Sequence, residues 1–497
     1  MDSLYNLFVD VCKEHGDETA IIYQDQAINY KTVYANVEKI YNKLIKSGIK
    51  ARDVVGLSMR RTPNVIATML AILRIGATYM PFNPLQKKMD WCRMIEESGC
   101  KIVVNDWQDI DRFFEGNWIE LEEFDNELSE EQDFKHVQSD YSKNNLYIIY
   151  TSGSTGKSKG VGIRQESLRN LILYGTKEIG LVQGESIVAV SNFAFDMSVP
   201  ETIMAILIGM TILMLNDIEV VNPRLIRRQI QRHSISTLLI TPTRMNIILD
   251  CKKGTEFLKS IKNLLFGAEM ISLTLIERLK EATDAQIFNL YGPTETTAYL
   301  TYSNITNKEV VDIGLTIKNT EIHLVDSADK IIDGPGEGEI VISGIGVADG
   351  YISEDKKKSF KIYSRISEGK VYYTGDIAKR LDNGDIVYLG RGDNQVKYRG
   401  YRLGLEDIED KIRNCIKEIR DCVVCVYKDE VNEYLALVYV SSEKINISDF
   451  KSRLSDYLAN YAIPISLIKV ESMPLNRNGK IERAKVADLV NDYYCKD

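Results

Sequence analysis

The segment Tyr150-Thr-Ser-Gly-Ser-Thr-Gly-Lys-Ser-Lys-Gly160 carries the strongest local pattern in the sequence, and it follows the strand-like run NLYIIY at residues 145–150. Its glycines permit positive φ angles and let backbone N–H groups approach an anion closely. Its hydroxyl groups and two lysines add donors and positive charge. A Walker A loop would need glycine at the position of Thr151. The segment therefore predicts a strand followed by a polyphosphate-binding loop of another type.

Outward from this loop, short apolar runs alternate with longer helix-like segments, which favours parallel sheets covered by helices. One helix is predicted from Pro63 to Ile75, ending at Gly76. From about Glu321 the chain becomes β-rich, and after about Gly400 it has a small α+β pattern. We predict an α/β protein with a large N-terminal domain (1–392) of parallel and mixed sheets flanked by helices plus a β-rich subdomain. A small, mobile α+β C-terminal domain (393–497) follows.

Composition excludes several classes of protein. The chain has 497 residues, too many for one core, and a net charge of −9, which argues against a nucleic-acid partner. The N-terminus lacks the basic region of an export signal. The longest apolar stretch, Ile203 to Leu215, is too short to span a bilayer and is interrupted by Gly209 and Thr211. We therefore expect a cytoplasmic protein with no membrane partner.

The cysteines predict core packing. Eight cysteines in a chain of this length do not form a disulfide scaffold. Cys422-Val-Val-Cys425 matches CxxC, but the chain has no second such pair to complete a zinc site. The flanking residues are typical of a buried strand, in which positions three apart point to opposite faces. We interpret both cysteines as core residues.

Eight segments, spread in order over nearly the whole chain, resemble the motifs of the adenylate-forming superfamily. That superfamily includes acyl-CoA synthetases, luciferases and the adenylation domains of nonribosomal peptide synthetases. The segments are LRIGATYMPFNP (73–84), TSGSTGKSKG (151–160), NFAFDMSVPE (192–201), NLYGPTETT (289–297), GEIVISGIGVADGY (338–351), YYTGD (372–376), GRGDNQVKYRGYRLGLEDIE (390–409) and PLNRNGKIER (474–483).

The resemblance implies an ATP site. It places Tyr291 along the adenine, Asn289 at the adenine edge and the Asp376 carboxylate on both ribose hydroxyls. Tyr388 and Arg391 match further nucleotide contacts. The implied phosphate-binding residues are Thr151, Ser152, Gly153, Ser154, Thr155, Gly156, Lys157 and Lys159, and Gly267, Ala268, Glu269 and Gly292 complete the nucleotide set.

The resemblance also implies the catalytic residues. Thr294 would contact the α-phosphate, Glu295 would bind Mg²⁺, and Lys480 would bridge the substrate carboxylate and the α-phosphate. A cation suits that position because the reaction brings two anions together. Asp393 matches the hinge between domains. Taken alone, Glu295 is also compatible with a helix cap and Asp376 with a turn before a strand.

Three positions depart from the motifs. Ser158 stands where proline is usual, and Ala268 stands where glycine is usual, close to the nucleotide. Gly404 replaces a common glutamate in the segment that lines the approach of the thiol. The last departure removes a carboxylate from that approach.

Asp196 indicates the substrate class. In amino-acid-activating relatives an aspartate here pairs with the α-ammonium, and a carboxylate beside a pocket needs such a partner. The alternative is an N-cap of the following helix. The remaining pocket positions include no charged side chain, which predicts a neutral, largely apolar substrate side chain. They are Met197, Pro200, Thr243, Leu265, Gly267, Leu290, Ala298 and Tyr299.

The chain ends 17 residues after Lys480, and no carrier-like segment follows. We therefore expect a free-standing enzyme that uses ATP and Mg²⁺ to convert an amino acid to aminoacyl-AMP and passes it to the phosphopantetheine thiol of a separate carrier protein. A D-alanine–carrier protein ligase and an acyl-CoA ligase are alternatives. A catalytically silent nucleotide-binding subunit is a further alternative, against which the presence of Lys480, Glu295 and Asp376 argues.

Overall fold

The computed structural model of this protein describes residues 3–107, 116–127, 133–151, 158–251, 254–352, 360–362, 369–392, 395–399, 401–428, 433–474 and 481–494. The chain divides into two compact units. The first comprises Met1–Asn83, Trp91–Tyr150 and Gly160–Gly390, and the second comprises Pro84–Asp90, Thr151–Lys159 and Arg391–Asp497. The domain division at 392/393 with a hinge at Asp393 stays a prediction, since Asp393 lies outside the described residues.

Within the described residues, the largest sheet of the first unit has nine strands. Six adjacent strands run parallel, and the strands at both edges are antiparallel to their neighbours. With strands numbered along the chain, the sheet order is β15 (Leu315–Thr316), β14 (Thr301–Asn304), β13 (Gln286–Tyr291), β12 (Asn263–Phe266), β11 (Thr237–Ile240), β9 (Ser186–Ala189), β10 (Thr211–Met214), β1 (Thr19–Tyr23) and β2 (Gln26–Asn29).

A second sheet, six strands wide in the part of the chain that is described, is built around parallel neighbours. The strand predicted before the glycine-rich loop is strand β7 of this sheet, so the prediction of a strand is confirmed. Residues 152–157 of the loop lie outside the described residues, so the loop stays a prediction. The sheet order is β6 (Asn117–Glu120), β5 (Ile102–Asn105), β3 (Val54–Ser58), β4 (Thr78–Pro81), β7 (Asn145–Thr151) and β8 (Lys159–Arg164).

Proline and glycine mark the two ends of the helix that was predicted in the N-terminal part. Helix α3 spans Pro63–Ile75, as predicted, with proline at its first position and Gly76 in the left-handed conformation (φ 75°) after its last. A Cβ on Gly76 would lie 2.5 Å from the Tyr141 ring, so only glycine fits there. The other helices of the N-terminal part are α1 (Tyr5–His15), α2 (Tyr30–Lys46), α4 (Lys88–Ser98), α5 (Gln165–Gly175), α6 (Ala205–Leu207), α7 (Pro223–His233), α8 (Pro242–Asp250) and α9 (Leu273–Ala282).

The predicted β-rich segment forms a separate antiparallel sheet in the first unit. Its described strands are β16 (Thr320–Val325), β17 (Gly336–Gly344), β18 (Phe360–Ile362), β19 (Lys370–Arg380) and β20 (Ile386–Arg391). Strand β19 is paired with β17 on one side and with β18 and β20 on the other. It carries the YYTGD motif at its centre.

The second unit has the predicted α+β composition. The hairpin β21 (Gln395–Tyr398) and β22 (Tyr401–Gly404) leads into helix α10 (Leu405–Cys415). The rest of the described unit comprises β23 (Ile419–Lys428), β24 (Glu433–Ser441), α11 (Ile447–Leu454), β25 (Ser466–Lys469) and α12 (Arg483–Tyr494).

Strand β23 carries both cysteines of the CxxC match. Cys422 is 1% exposed and Cys425 is 8% exposed, and they pack into different hydrophobic clusters. They therefore lie on opposite faces of the strand, which confirms their interpretation as core residues.

The main core of the first unit joins its two large sheets through their helices. Ile21 of β1, Leu57 of β3, Leu70 of α3 and Leu265 of β12 are all at most 2% exposed and belong to one hydrophobic cluster. Across the described residues, none of the helices is both long enough and apolar enough to cross a membrane. The predicted α/β fold is confirmed.

Candidate active site

Several of the predicted substrate and nucleotide residues follow the carboxyl ends of neighbouring parallel strands. Asp196 follows β9, Thr243 follows β11, Gly267 follows β12, and Gly292 follows β13. Strands β9, β11, β12 and β13 are adjacent in the nine-stranded sheet. In open α/β sheets the crevice beyond these ends is the usual binding position, because loops from several strands converge there. The topology thus brings these predicted residues to one edge.

Five of the predicted pocket residues belong to, or pack against, the large apolar cluster that forms the main core. A Cβ placed on Gly267 would lie 3.7 Å from the Leu290 carbonyl oxygen and 3.9 Å from Met197 Cε, which is ordinary contact distance. The Tyr299 hydroxyl donates to the Gly175 carbonyl oxygen at 3.1 Å and is thereby satisfied inside the core. Leu265, Leu290 and Tyr299 are buried in this cluster, and Met197 and Ala298 pack against it. Pro200 is also buried.

Asp196 is half-buried in the loop after β9. The helix that follows begins at Ser198 and continues into the segment Pro200–Met204. The Asp196 carbonyl oxygen accepts a hydrogen bond from the Val199 N–H at 2.9 Å, so Asp196 lies directly before this helix. Both interpretations of its side chain, as the partner of an ammonium and as an N-cap, stay predictions.

A buried carboxylate, Glu201, fixes the backbone of this loop. Its side chain has no exposed surface and accepts hydrogen bonds from the Val190 N–H (3.0 Å), the Ser191 N–H (2.8 Å) and the Ser191 hydroxyl (2.8 Å). These bonds hold the chain as it leaves β9. They fix the start of the loop that contains Asp196.

Two arginines hold the carbonyl groups of the same segment. Arg61 donates to the carbonyl oxygens of Ala189 and Ser191, each at 2.6 Å, and its guanidinium lies 4.7 Å from the centre of the Phe193 ring. Arg244 donates to the Val190 carbonyl oxygen at 2.8 Å. We call Glu201, Arg61 and Arg244 the loop-anchoring network. It binds main-chain groups of residues 189–191, at the start of the loop that contains Asp196.

Glu201 predicts a pH-dependent stability. Burial raises its pKa from 4.5 to about 7, against the lowering effect of the Ser191 hydrogen bonds and of Arg61 and Arg244. Because the folded pKa lies above the unfolded one, the stabilisation from the protonated form is complete below about pH 4.5 and is lost as pH rises through about 7. Glu201→Gln keeps two acceptor bonds and can donate to Ser191, but it does not titrate.

Urea unfolding of wild type and Glu201→Gln at about pH 5 and about pH 8 tests this expectation. The stability of the wild type relative to the variant should be lower at about pH 8 than at about pH 5, by a difference on the order of 3 kcal/mol at most. A difference that stays constant with pH would mean that Glu201 does not titrate in this range.

Tyr291, Asp376 and Tyr388 form the second cluster of predicted residues. The Tyr291 hydroxyl donates to one Asp376 carboxylate oxygen at 2.8 Å, and the Tyr388 hydroxyl lies 3.5 Å from the other. The two tyrosine rings are 6.1 Å apart. Burial and the Asp376 charge raise the pKa of Tyr291 well above its ordinary value, so its hydroxyl keeps its proton and donates. We call these residues the Tyr–Asp–Tyr cluster.

A β-bulge presents Asp376 to this cluster. Opposite β17, residues 374–376 stand against Ile340 alone, because the register shifts between the pairs Val341–Tyr373 and Glu339–Ile377. Gly375 takes φ 73°, which the bulge needs. Asp376 lies within strand β19 and is 2% exposed. The alternative interpretation as a simple turn residue before a strand is therefore wrong.

Glu295 and Thr294 lie on a 3-10 turn, Thr294–Thr296, in the segment after β13. Glu295 is 1% exposed and accepts a hydrogen bond from the Tyr351 hydroxyl at 2.9 Å, while Thr294 is half-buried. A buried carboxylate is a ligand type that Mg²⁺ accepts. The described residues contain no group of three His, Cys, Asp or Glu side chains that could hold a metal ion by itself. Any Mg²⁺ at Glu295 would thus draw most of its ligands from phosphate and water, as this ion commonly does.

Gly292 and Ala268 occupy positions with special backbone requirements. A Cβ on Gly292 would lie 2.6 Å from the Tyr299 Cα, so the return of the chain after residue 291 requires glycine. Ala268 has φ 66°, in the left-handed region. That conformation explains why glycine is usual in the family at this position.

Ala268→Gly is expected to raise the free energy of unfolding by about 1 kcal/mol, because left-handed backbone costs alanine more than glycine even after the extra entropy of the unfolded glycine chain. Urea denaturation measures this difference. Ala285→Gly, at a buried position with no positive φ, is the matched control and should be destabilising. Equal destabilisation by both variants would show that residue 268 is unstrained.

The remaining predicted residues are only partly linked to these clusters. The Thr243 N–H donates to the Glu269 carboxylate at 3.0 Å, and Asn289 donates to the Asp312 carbonyl oxygen at 2.8 Å. Thr151, Lys159 and Arg391 belong to the second unit. Ser152, Gly153, Ser154, Thr155, Gly156, Lys157, Asp393 and Lys480 lie outside the described residues.

Sequence analysis missed Glu201, Arg61 and Tyr351. Glu201 stands in the quoted segment NFAFDMSVPE, directly before a long apolar run, and a charge at that position is the pattern that could have identified it. Tyr351 is the last residue of the quoted segment GEIVISGIGVADGY (338–351), which could have identified it. Arg61 binds its loop from a distant part of the chain, and no local pattern marks it.

Comparisons with known proteins identify the family of this chain. Residues 8–352 match the family model described as AMP-binding enzyme. Zwittermicin A synthase ZmaJ of Bacillus cereus is 28% identical over 503 residues, which cover 99% of this chain and 96% of the relative. Bacitracin synthase 1 of Bacillus licheniformis is 28% identical over 488 residues, covering 97% of this chain. The chain spans 9% of the length of bacitracin synthase 1.

Two solved structures share the fold. The Vibrio cholerae adenylation domain AlmE, in complex with glycyl-adenosine-5'-phosphate, superposes with a TM-score of 0.85 at 19% identity over 99% of this chain and 98% of AlmE. PA1221, a nonribosomal peptide synthetase protein containing adenylation and PCP domains, gives a TM-score of 0.84 at 23% identity over 98% of this chain and 84% of the other. The protein belongs to the AMP-binding enzyme family.

Proposed function

We propose that this protein activates a free amino acid with ATP, forming aminoacyl-AMP and releasing pyrophosphate. The observation that carries the proposal is the position of Asp196: a half-buried carboxylate in the loop after β9, directly before Met197, which packs against the apolar cluster that contains Leu265 and Leu290. A carboxylate beside such a cluster suits a ligand that has an ammonium group and an apolar side chain.

In this proposal the Tyr–Asp–Tyr cluster binds the nucleoside. The aromatic ring of Tyr291 or Tyr388 offers a face for the adenine, and the Asp376 carboxylate is an acceptor suited to a vicinal diol. Thr294 is the donor for the α-phosphate. Glu295 would hold Mg²⁺, which supplies positive charge for the phosphates when bound. Lys480 neutralises the charge between the attacking carboxylate and the α-phosphate.

Transfer to a thiol is the second part of the proposal. We infer that the acceptor is the phosphopantetheine of a carrier protein supplied by another chain, and that residues from Asp393 onward act as a mobile lid between the two half-reactions. The presence of PCP domains in PA1221 supports a carrier as acceptor. Gly404 occupies the N-cap position of α10, where the related motif commonly has a glutamate.

Substrate-dependent ATP–pyrophosphate exchange is the test. A panel of L- and D-amino acids, each paired with the acid that lacks the amine, separates amino-acid activation from activation of other carboxylic acids. We expect exchange with an amino acid whose side chain is neutral and largely apolar. Exchange only with amine-free acids, or with nothing on the panel, would contradict the proposal. Transfer to a carrier protein and to coenzyme A is then compared using the active amino acid.

A further inference from the structure

Residues 346–352, which we call the bridging segment, run along the 3-10 turn that carries Glu295. The Ala348 N–H donates to the Glu295 carbonyl oxygen at 2.9 Å. Beside it, the Thr297 hydroxyl donates to the Gly346 carbonyl oxygen at 2.8 Å. The main chain of the bridging segment is therefore fixed against this turn at two points.

The other end of the bridging segment meets strand β8. The Ile352 N–H donates to the Gly160 carbonyl oxygen at 2.8 Å, and Tyr351 pairs with Val161 in an isolated antiparallel bridge. Gly160 and Val161 come directly after the two lysines of the predicted polyphosphate-binding loop, and they lie in the same compact unit as Glu295. The bridging segment thus connects the strand that follows this loop to the turn of Glu295.

The side chain of Tyr351 makes the same connection with a polar group. Its hydroxyl donates to the Oε1 atom of the Glu295 carboxylate at 2.9 Å. The ring is 6% exposed, belongs to the main hydrophobic cluster and contacts the Phe360 ring edge-on at 5.2 Å. Because packing holds the ring and the bridge to Val161 holds its main chain, the hydroxyl has a defined position.

The chemistry of this donor suits a carboxylate that binds a cation. A tyrosine hydroxyl is neutral, so it orients the Glu295 carboxylate and leaves its negative charge in place. A lysine or arginine at the same position would offset that charge and compete with a metal ion. Groups that hydrogen-bond to a ligating carboxylate fix its orientation and tune the affinity for the metal.

We propose that Tyr351 is a positioning residue for metal binding. Its hydroxyl orients the carboxylate of Glu295, while its main chain holds the strand that follows the polyphosphate-binding loop. One residue thereby sets the spacing between the metal ligand and the phosphate-binding part of the site. This inference rests on the proposed function, in which Glu295 holds Mg²⁺, and adds the residue that fixes this ligand.

Tyr351→Phe in the full chain tests the inference, because it removes the hydroxyl and keeps the ring. Isothermal titration calorimetry measures ATP binding in excess Mg²⁺ and again in EDTA, with no amino acid present. We expect the affinity for MgATP to fall by about tenfold, at the lower end of the usual effect of removing such a partner. The affinity for ATP in EDTA should stay within about twofold of wild type, since the hydroxyl acts on the metal ligand only.

A double-mutant cycle shows whether Tyr351 acts through Glu295. In a Glu295→Gln background the same Tyr351→Phe change should have little further effect on MgATP affinity, because the carboxylate that the hydroxyl orients is already gone. Equal loss in both backgrounds would mean that Tyr351 acts independently of Glu295.

Tyr30→Phe is the matched control. Tyr30 is 1% exposed, and its hydroxyl donates to the Met210 carbonyl oxygen at 2.8 Å, so the variant also loses a buried hydrogen bond. Its Tm should fall by about as much as that of Tyr351→Phe. Its affinity for MgATP should equal that of the wild type.

Three outcomes overturn the inference. Wild-type affinity of Tyr351→Phe for MgATP would show that the hydroxyl has no part in metal binding. Equal losses in Mg²⁺ and in EDTA would reduce Tyr351 to a structural role. Wild-type ATP affinity that does not depend on Mg²⁺ would remove the metal from Glu295. None of these measurements involves an amino acid, so the proposed amino-acid activation is judged separately by the exchange panel.

Discussion

Asp196→Ala is expected to lower kcat/KM for the amino acid by about 10²–10³-fold or more while KM for ATP stays near its wild-type value. Removing one member of a buried charge pair costs about 3–5 kcal/mol, because the other charge is left without its partner. Asp196 lies outside the Tyr–Asp–Tyr cluster, so nucleotide binding should be preserved. Steady-state exchange with each substrate varied in turn provides the measurement.

Two further variants sharpen this experiment. Asp196→Asn keeps the shape of the side chain and removes its charge, so a similar loss would assign the effect to the charge. Asp284→Ala, at an exposed position, should behave as wild type. Normal amino-acid kinetics in Asp196→Ala would show that the substrate has no ammonium at this position.

Lys480→Ala is expected to cut adenylate formation by about 10²–10³-fold, the usual effect of deleting one group that stabilises developing charge. Lys480 lies outside the described residues, and the expectation comes from its motif. The described residues on either side of its segment have defined contacts. The Glu482 N–H donates to the Pro474 carbonyl oxygen at 2.9 Å, and Arg483 pairs with the buried Glu409 at 2.6 Å. Deleting the lysine should therefore leave folding intact.

The two half-reactions separate the role of this lysine from a general defect. Transfer from a pre-made aminoacyl-adenylate to the thiol needs no bridge between carboxylate and phosphate, so Lys480→Ala should largely spare it. Lys485→Ala is the control, since that side chain is 60% exposed and pairs with Glu482. Equal loss of both half-reactions, or of neither, would assign Lys480 a different role.

Sequence patterns predicted the elements whose ends are set locally. Helix α3 follows from Pro63, its apolar spacing and Gly76, and the strands before Asp196 and the glycine-rich loop follow from short apolar runs. The pocket residues Met197, Leu265 and Leu290 were predicted from a resemblance to family motifs, and the structure packs them in one cluster.

Other features depend on contacts between distant parts of the chain. Arg61 reaches the carbonyl groups of residues 189 and 191 from about 130 residues away, and Tyr351 reaches Glu295 from 56 residues away. The left-handed conformation of Ala268 and the bulge at Asp376 depend on the sheets around them. No short-range pattern encodes these features, because the partner of each residue is fixed only by the fold.

The loop-anchoring network has a consequence for redesign of the substrate range. Glu201, Arg61 and Arg244 bind the main chain at residues 189–191, whereas the side chains that would meet the substrate side chain, such as Met197, Leu265 and Ala298, are not among their partners. In the proposed function, the residues that hold the loop of Asp196 are thus separate from the side chains that would select the substrate side chain. Libraries that vary those walls and leave the network untouched should keep the common recognition element while exploring new amino acids.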